Sequence, residues 1–198
     1  MQKKGFTMIE LIIIFTIIFI MTAILISMSY KDRERKDIQA VAREVIASIR
    51  EAQNYSLTGK QTGTGTMPCA FQIELKDDSY QINHSTRKLD AENCNGATFE
   101  SFFANGNVKL PLNVRMNVGA YNPDRPNGNP KHWEEITNID FDVPYGKITI
   151  GDDADNNVGA EIILSKNDKY YHICLHTTGL IEDKGINDKV DYVCGSSF

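Results

Sequence analysis

Between Phe6 and Thr58 the chain contains neither proline nor glycine. Proline would remove a backbone donor, and an interior glycine would cost about 1 kcal/mol of helix propensity, so nothing in this stretch breaks a helix. The first half of the stretch also lacks charge. From Phe6 to Ser29 there is no lysine, arginine, aspartate or histidine, and Glu10 is the one ionisable side chain. That excludes an ordinary solvated helix. As a helix these residues span about 36 Å at about 1.5 Å each, against about 30 Å of hydrocarbon in a bilayer. Cysteine is absent before Cys69. Signatures of catalysis are absent as well: there is no nucleophile elbow, no phosphate-cradling glycine loop and no Cys–His arrangement, so the sequence offers no enzymatic reading. Basic residues are in deficit, with 21 Lys+Arg against 26 Asp+Glu and a net charge of -5. Lys3, Lys4 and Glu10 contribute +1 of this, leaving -6 on residues 30–198. An acidic body argues against nucleic acid as a partner, because phosphate binding needs a basic patch.

What is present begins with an anchor. Lys3 and Lys4 precede the apolar run. A cleaved secretory signal is a poorer fit, since its core is usually about 7–15 residues long, although Ser27-Met28-Ser29 has the small residues of a weak cleavage site. Basic residues counted alone (Lys31, Arg33, Arg35, Lys36) would put the following domain in the cytoplasm. Asp32, Glu34 and Asp37 are interleaved there, which reads as a salt-bridged helix face. Four cysteines beyond the span, Cys69, Cys94, Cys174 and Cys194, suit an oxidising compartment, so the expectation is a single-pass protein with an extracytoplasmic body. Four cysteines allow three connectivities; pairing in sequence order, Cys69–Cys94 and Cys174–Cys194, is the preferred one. Each such loop would stabilise by roughly 3 kcal/mol in the chain-entropy model.

After the span the pattern stays helical but turns amphipathic. Ile38, Val41, Ala42, Val45, Ile46, Ile49 and Ala52 recur at steps of three and four, and Gly59 supplies a stop. From Gln61 onward short runs with strand character follow: 70–75, 80–84, 98–103, 114–118, 136–143, 147–150, 161–165 and 170–176. They are punctuated by the turn signals KDDS, NGN, PYG and SKND. Residues 119–131, with three prolines, read as a surface loop. The expectation is an α+β plan: a long N-terminal helix, half transmembrane (6–29) and half amphipathic (30–58), packed against an antiparallel sheet in a β-rich head (59–198).

Two clusters could carry metal chemistry. HICLH places His172, Cys174 and His176 on one strand face, but a disulfide-bonded Cys174 beside solvated histidines is the preferred reading over zinc. GDDADNN offers Asp152, Asp153 and Asp155 as oxygen ligands for Ca²⁺; the loop lacks the EF-hand glycine and closing glutamate, so a solvated acidic turn is preferred and no cofactor is expected.

The opening residues, KKGFTMIEL, resemble the class III leader of type IV prepilins and type II secretion pseudopilins. The matching features are a short basic leader (residues 1–5), Gly5 before a cut, Phe6 as the new N-terminus, and Glu10 as its fifth residue. The distal half is similar to the H-type minor pseudopilin and FimT-like group, through AVAREVIASIREAQNYSLTGK, Phe141–Gly146 and Thr178–Ile181. Major type IV pilins usually carry Gly and Pro in the membrane half, where this chain has Phe19 and Ser27, so a minor subunit is the nearer likeness. The resemblance implies a pilin fold, cleavage between Gly5 and Phe6 by a prepilin peptidase, and N-methylation of Phe6. It also implies an assembly role for Glu10 against a neighbouring subunit's N-terminal amine. The implied partners are that peptidase, other pilin or pseudopilin subunits, and an inner-membrane assembly platform of a secretion or pilus machine. The alternatives are a major pilin, a DNA-uptake competence pilin, and an uncleaved membrane-anchored binding domain.

Overall fold

The computed structural model describes residues 7–63, 65–88, 97–103, 106–121, 133–151, 157–187 and 194. It is an α+β protein in which the described residues form one helix, α1 (Met8–Thr58), followed by eleven strands. The helix starts after Thr7 and ends at Gly59, whose φ of 62° is the left-handed conformation that terminates helices at low cost. By its contacts the chain divides into two units, residues 1–37 and 38–198. In the first unit, Met8–Ile26 is long and apolar enough to cross a membrane, and none of it is buried within the protein.

The second unit forms its core around the rest of α1. Ile38, Ala42, Val45, Ile49 and Ala52 are fully buried, and Val41 and Ile46 nearly so. The sequence predicts one sheet over this stripe; the structure has two. The first joins β1 (Ala70–Lys76), β2 (Ser79–Ser85), β3 (Phe99–Ser101), β4 (Asn107–Lys109), β7 (Asn138–Asp142) and β8 (Ile148–Ile150), in the order β3-β2-β1-β7-β8 with β4 also on β2. The second joins β5 (Arg115–Tyr121), β6 (Trp133–Glu135), β9 (Gly159–Lys166), β10 (Lys169–His176) and β11 (Ile181–Asn187), in the order β11-β10-β9-β5-β6. All of these pairings are antiparallel. Inward residues alternate along the strands, Ile73 and Leu75 on β1, Ile162 and Leu164 on β9, and Tyr171, Ile173 and Leu175 on β10. They close on the helix stripe as one hydrophobic core.

Local sequence sets the corners. The β1–β2 turn falls at Asp77-Asp78, within the KDDS signal. The β9–β10 turn uses Asn167 and Asp168, both at positive φ (47° and 59°), as a two-residue hairpin with right-handed strand twist requires. Gly146, at φ 63°, follows the cis Val143–Pro144 peptide. A Cβ there would stand 2.7 Å from Leu57 of α1, so only glycine lets this turn close on the last helical turn. Gly179, at φ 91°, does the same over Gln53.

Candidate functional site

The N-terminal site begins with Thr7 and Glu10. The Glu10 amide donates to the Thr7 carbonyl at 3.1 Å, and a Glu10 carboxylate oxygen lies 3.5 Å from both the Thr7 nitrogen and hydroxyl. The arrangement is the glutamate half of a capping box, in which the third helical residue reaches back to a donor that the helix leaves orphaned. The contacts are long, and Glu10 is exposed. Its T-x-x-E spacing is legible in the sequence. Gly5 and Phe6 lie outside the described residues.

The cysteines are oxidised. Cys174 and Cys194 form a disulfide across a separation of 20 residues, both with side chains all but fully buried. Cys69 is also disulfide-bonded, with its sulfur 3.2 Å from the Ser85 hydroxyl; Cys94 lies outside the described residues. Cys174 has therefore given up its thiolate, and HICLH cannot present three zinc ligands. Among the described residues there is no cluster of three His, Cys, Asp or Glu side chains able to hold a metal. Asp152, Asp153 and Asp155 lie outside them. Their neighbour Asn157 is buried, and its amide donates to the Ile150 carbonyl at 2.7 Å.

One expectation is corrected on this strand. The sequence pattern predicts solvated histidines in HICLH. β10 is an inner strand, flanked by β9 and β11, and His172 is 1% exposed. Its Nδ1 lies 2.7 Å from an oxygen of Glu161, itself 3% exposed, while its Nε2 is buried without a hydrogen-bond partner. His172 stands opposite Ile163 and Glu161 opposite Cys174, so the pair is diagonal on the face turned away from α1. Gly119 faces Glu161 from β5 and Gly185 faces His172 from β11, leaving room for both side chains. His176, two residues on, is 3.9 Å from Glu182, which also binds Lys184 at 2.6 Å. The Lys184 ammonium, chiefly, holds the Glu182 carboxyl below the usual carboxylate range.

Where the helix meets the first sheet, burial pushes the Tyr80 phenol up to about 12, its hydroxyl resting 3.4 Å from Ser48 of α1. At the end of α1, Tyr55 stacks with Phe71 and Phe102 and donates to Glu51; burial, chiefly, raises its phenol to about 12. These groups join helix to sheet and offer no acid–base pair poised for chemistry. The geometry as a whole supplies an apolar helix, a packed head and oxidised cysteines. Comparison with known families, with characterised proteins and with solved structures finds no match for this chain.

Proposed function

We propose that the chain is a minor pilin or pseudopilin: a structural filament subunit, processed by a prepilin peptidase and assembled by a type II secretion or type IV pilus system. The observation that carries the reading is the division of α1. Its first part is unburied and uncharged apart from one acid, Glu10, and almost wholly apolar, and its second part is fastened into a two-sheet head by the stripe from Ile38 to Ala52. A protein with this plan can be held by a membrane through the first part and present a rigid body through the second. The leader KKGFTMIEL supports removal of residues 1–5, which would leave a cationic amine on Phe6. An unpaired acid in a span costs a few kcal/mol, and a neighbouring subunit's amine would relieve it. Oxidised Cys69 and Cys174–Cys194 support an extracytoplasmic head. The partners on this reading are the peptidase, sibling subunits and an inner-membrane platform; the work is assembly or display, with no catalysis.

The test is the intact mass and N-terminal peptide of the membrane-bound protein, made with and without a prepilin peptidase. A chain starting at Phe6 only with the peptidase, blocked by Gly5→Val, supports the reading. A chain starting at Met1 beside an active peptidase refutes it and leaves an anchored domain.

A further inference from the structure

We propose that the two ends of the head are the two halves of one contact between copies of this chain. The β4–β5 turn of one copy, led by Leu112 and Val108, docks on an apolar patch of Leu57, Tyr145 and Leu180 at the opposite end of a second copy. The inference rests on the filament reading above and deepens it, because it names a surface through which sibling heads meet. The observation behind it is a distribution. Among the described residues of 38–198, the exposed large apolar side chains are Leu57, Phe103, Val108, Leu112, Tyr145 and Leu180. Scattered singly, such residues need no explanation. Phe103 does stand apart, stacked on Phe102 at the edge of the first sheet. The other five gather at the two ends of the strands.

The first end is built by the last turns of α1 and two strand connections. Gly146, between β7 and β8, lies against Leu57, and its neighbour Tyr145 is 85% exposed. Gly179, between β10 and β11, lies over Gln53 and beside Ile148 of β8, and exposed Leu180 follows it. Gln53 and Leu57 are four residues apart on the helix, so one helix face carries both connections and the three apolar side chains share a patch. The strand β1 links this end to the other. Ala70 stands opposite Asp142, just before the Tyr145 turn, and Lys76 leads into Asp77, roughly 20 Å away at about 3.4 Å per residue. There the Met116 amide donates to the Asp77 carbonyl and the Leu110 amide to that of Asp78, both at 2.8 Å, which fixes the β4–β5 turn on the β1–β2 turn. The Val114 amide donates to the Pro111 carbonyl at 3.1 Å, closing a tight turn with Leu112 and Asn113 (φ 68°) at its centre. Leu112 is thereby held at a firm apex, 90% exposed, with exposed Val108 on the neighbouring β4.

Charge makes a second copy the occupant. Residues 30–198 total -6, so two heads approaching side by side repel each other. The ends lack that acid excess. At the Leu112 end Lys76 pairs with Glu74 and Arg115 with Asp77, and Lys109, Lys166 and Lys169 count against Asp78 and Asp168, which leaves +1. At the Leu57 end Lys147 offsets Asp142, and Lys60, over the Tyr55 ring, offsets the Glu51 that Tyr55 bonds. An acidic body therefore meets itself with least repulsion end to end, where its exposed apolar side chains also lie. Joining two different ends is a heterologous contact, which repeats without closing and lines heads up in a row. Five side chains bury far less than the about 800 Å² per partner of a stable interface. The contact therefore adds to an assembly and does not by itself hold two free heads together.

The test is cross-linking of the full chain in the cells that make it. The chain carries Leu112→Cys, Tyr145→Cys or both, at sites exposed enough to leave the fold alone, and is treated with a short bismaleimide. Cys69, Cys174 and Cys194 are disulfide-bonded and stay out of the reaction, and the parent chain is the control. The double variant should give a ladder of dimers, trimers and longer species. Each single variant alone should give no product, and the two singles made together should give dimers only. Leu180→Glu, also at an exposed site, should abolish the ladder with the circular dichroism of the head unchanged. The N-terminal peptide is read in the same samples. A chain that starts at Phe6 but gives no ladder, or single variants that cross-link to themselves as readily as to each other, overturns the inference and leaves the filament reading standing. A ladder from a chain that still starts at Met1 beside an active peptidase refutes the filament reading, and the contact survives as self-association of an anchored protein.

Discussion

Removing one member of the Glu161–His172 pair should cost far more than removing both. The two groups are 3% and 1% exposed and 2.7 Å apart, on adjacent strands of the second sheet. Glu161→Leu leaves an imidazole with both nitrogens buried and, from the contacts seen, no partner for either. It loses a charge-assisted hydrogen bond and strands a desolvated polar group, together about 3–5 kcal/mol. His172→Leu takes from the Glu161 carboxylate its contact at 2.7 Å, a penalty of the same order, since a buried charge is dearer than a buried dipole. The double substitution replaces the pair with two apolar side chains beside Ile163 and the Cys174–Cys194 bond, a setting that is already apolar. Its net cost should fall within about 1 kcal/mol of zero, because desolvating the two polar groups offsets most of what their attraction returns. The assay is urea unfolding of the full chain in detergent, followed by near-ultraviolet circular dichroism, with the four proteins arranged as a double-mutant cycle. The coupling should exceed about 3 kcal/mol. Additive single effects, or a double variant as unstable as the sum of the singles, would show that the two groups do not depend on each other, and the reasoning would fail.

Two further outcomes follow from the same structure. Ile49→Ala, at a fully buried position between helix and sheets, should lower stability by about 2–5 kcal/mol, whereas exposed Arg50→Ala beside it should change it by less than about 0.5; matched urea curves read both. Glu74 is held below the ordinary carboxylate range, chiefly by its hydrogen bond to Lys76 at 2.8 Å. A lowered folded-state pKa gives stability that is present above the unfolded value of 4.5 and is lost as pH falls through the folded one. Glu74→Gln should therefore destabilise by under about 1 kcal/mol near neutrality and converge on the parent in acid; a gap that persists in acid would contradict this assignment.

The helix was legible because its signals are local: no breakers from Phe6 to Thr58, then apolar residues at helical spacing. β1, β2, β9 and β10 were legible through alternation and through their turns. The division into two sheets was not, because it depends on pairings such as β1 with β7 and β5 with β9, which join residues far apart in sequence. β4 carries no such signal: only its first residue, Asn107, falls in the NGN turn signal, and its three residues are exposed. β11 was missed because Glu182, Asp183, Lys184 and Gly185 look like loop. They form an edge strand with a bulge opposite His172 and Ile173, and charge and bulge together guard that edge against further pairing. The Glu161–His172 pair left no signal either. Outward positions on a two-layer fold are ordinarily solvated, and nothing in the periodicity of β9 or β10 says that this outer face is covered.

Glu10 is the residue on which sequence and structure say different things, and the two are compatible. A capping box asks only for an acceptor at the third helical position, which a neutral glutamine would also supply. The cap therefore accounts for a polar side chain there and leaves its charge unexplained. A charge within an apolar run needs an opposite charge, and residues 6–29 contain none. The nearest cations in sequence are Lys3 and Lys4, which leave with the leader if Gly5–Phe6 is cut. Such a cut would create one new cation, the amine of Phe6, four residues from Glu10 on the same chain and, on the filament reading, on every sibling chain. On the filament reading, the long contacts to Thr7 hold the carboxylate while the subunit stands alone, and a stronger, charged partner replaces them when subunits meet. On that reading, an acid that is weakly satisfied alone and strongly satisfied in company favours assembly over the isolated subunit, which would be reason enough for a membrane helix to keep it.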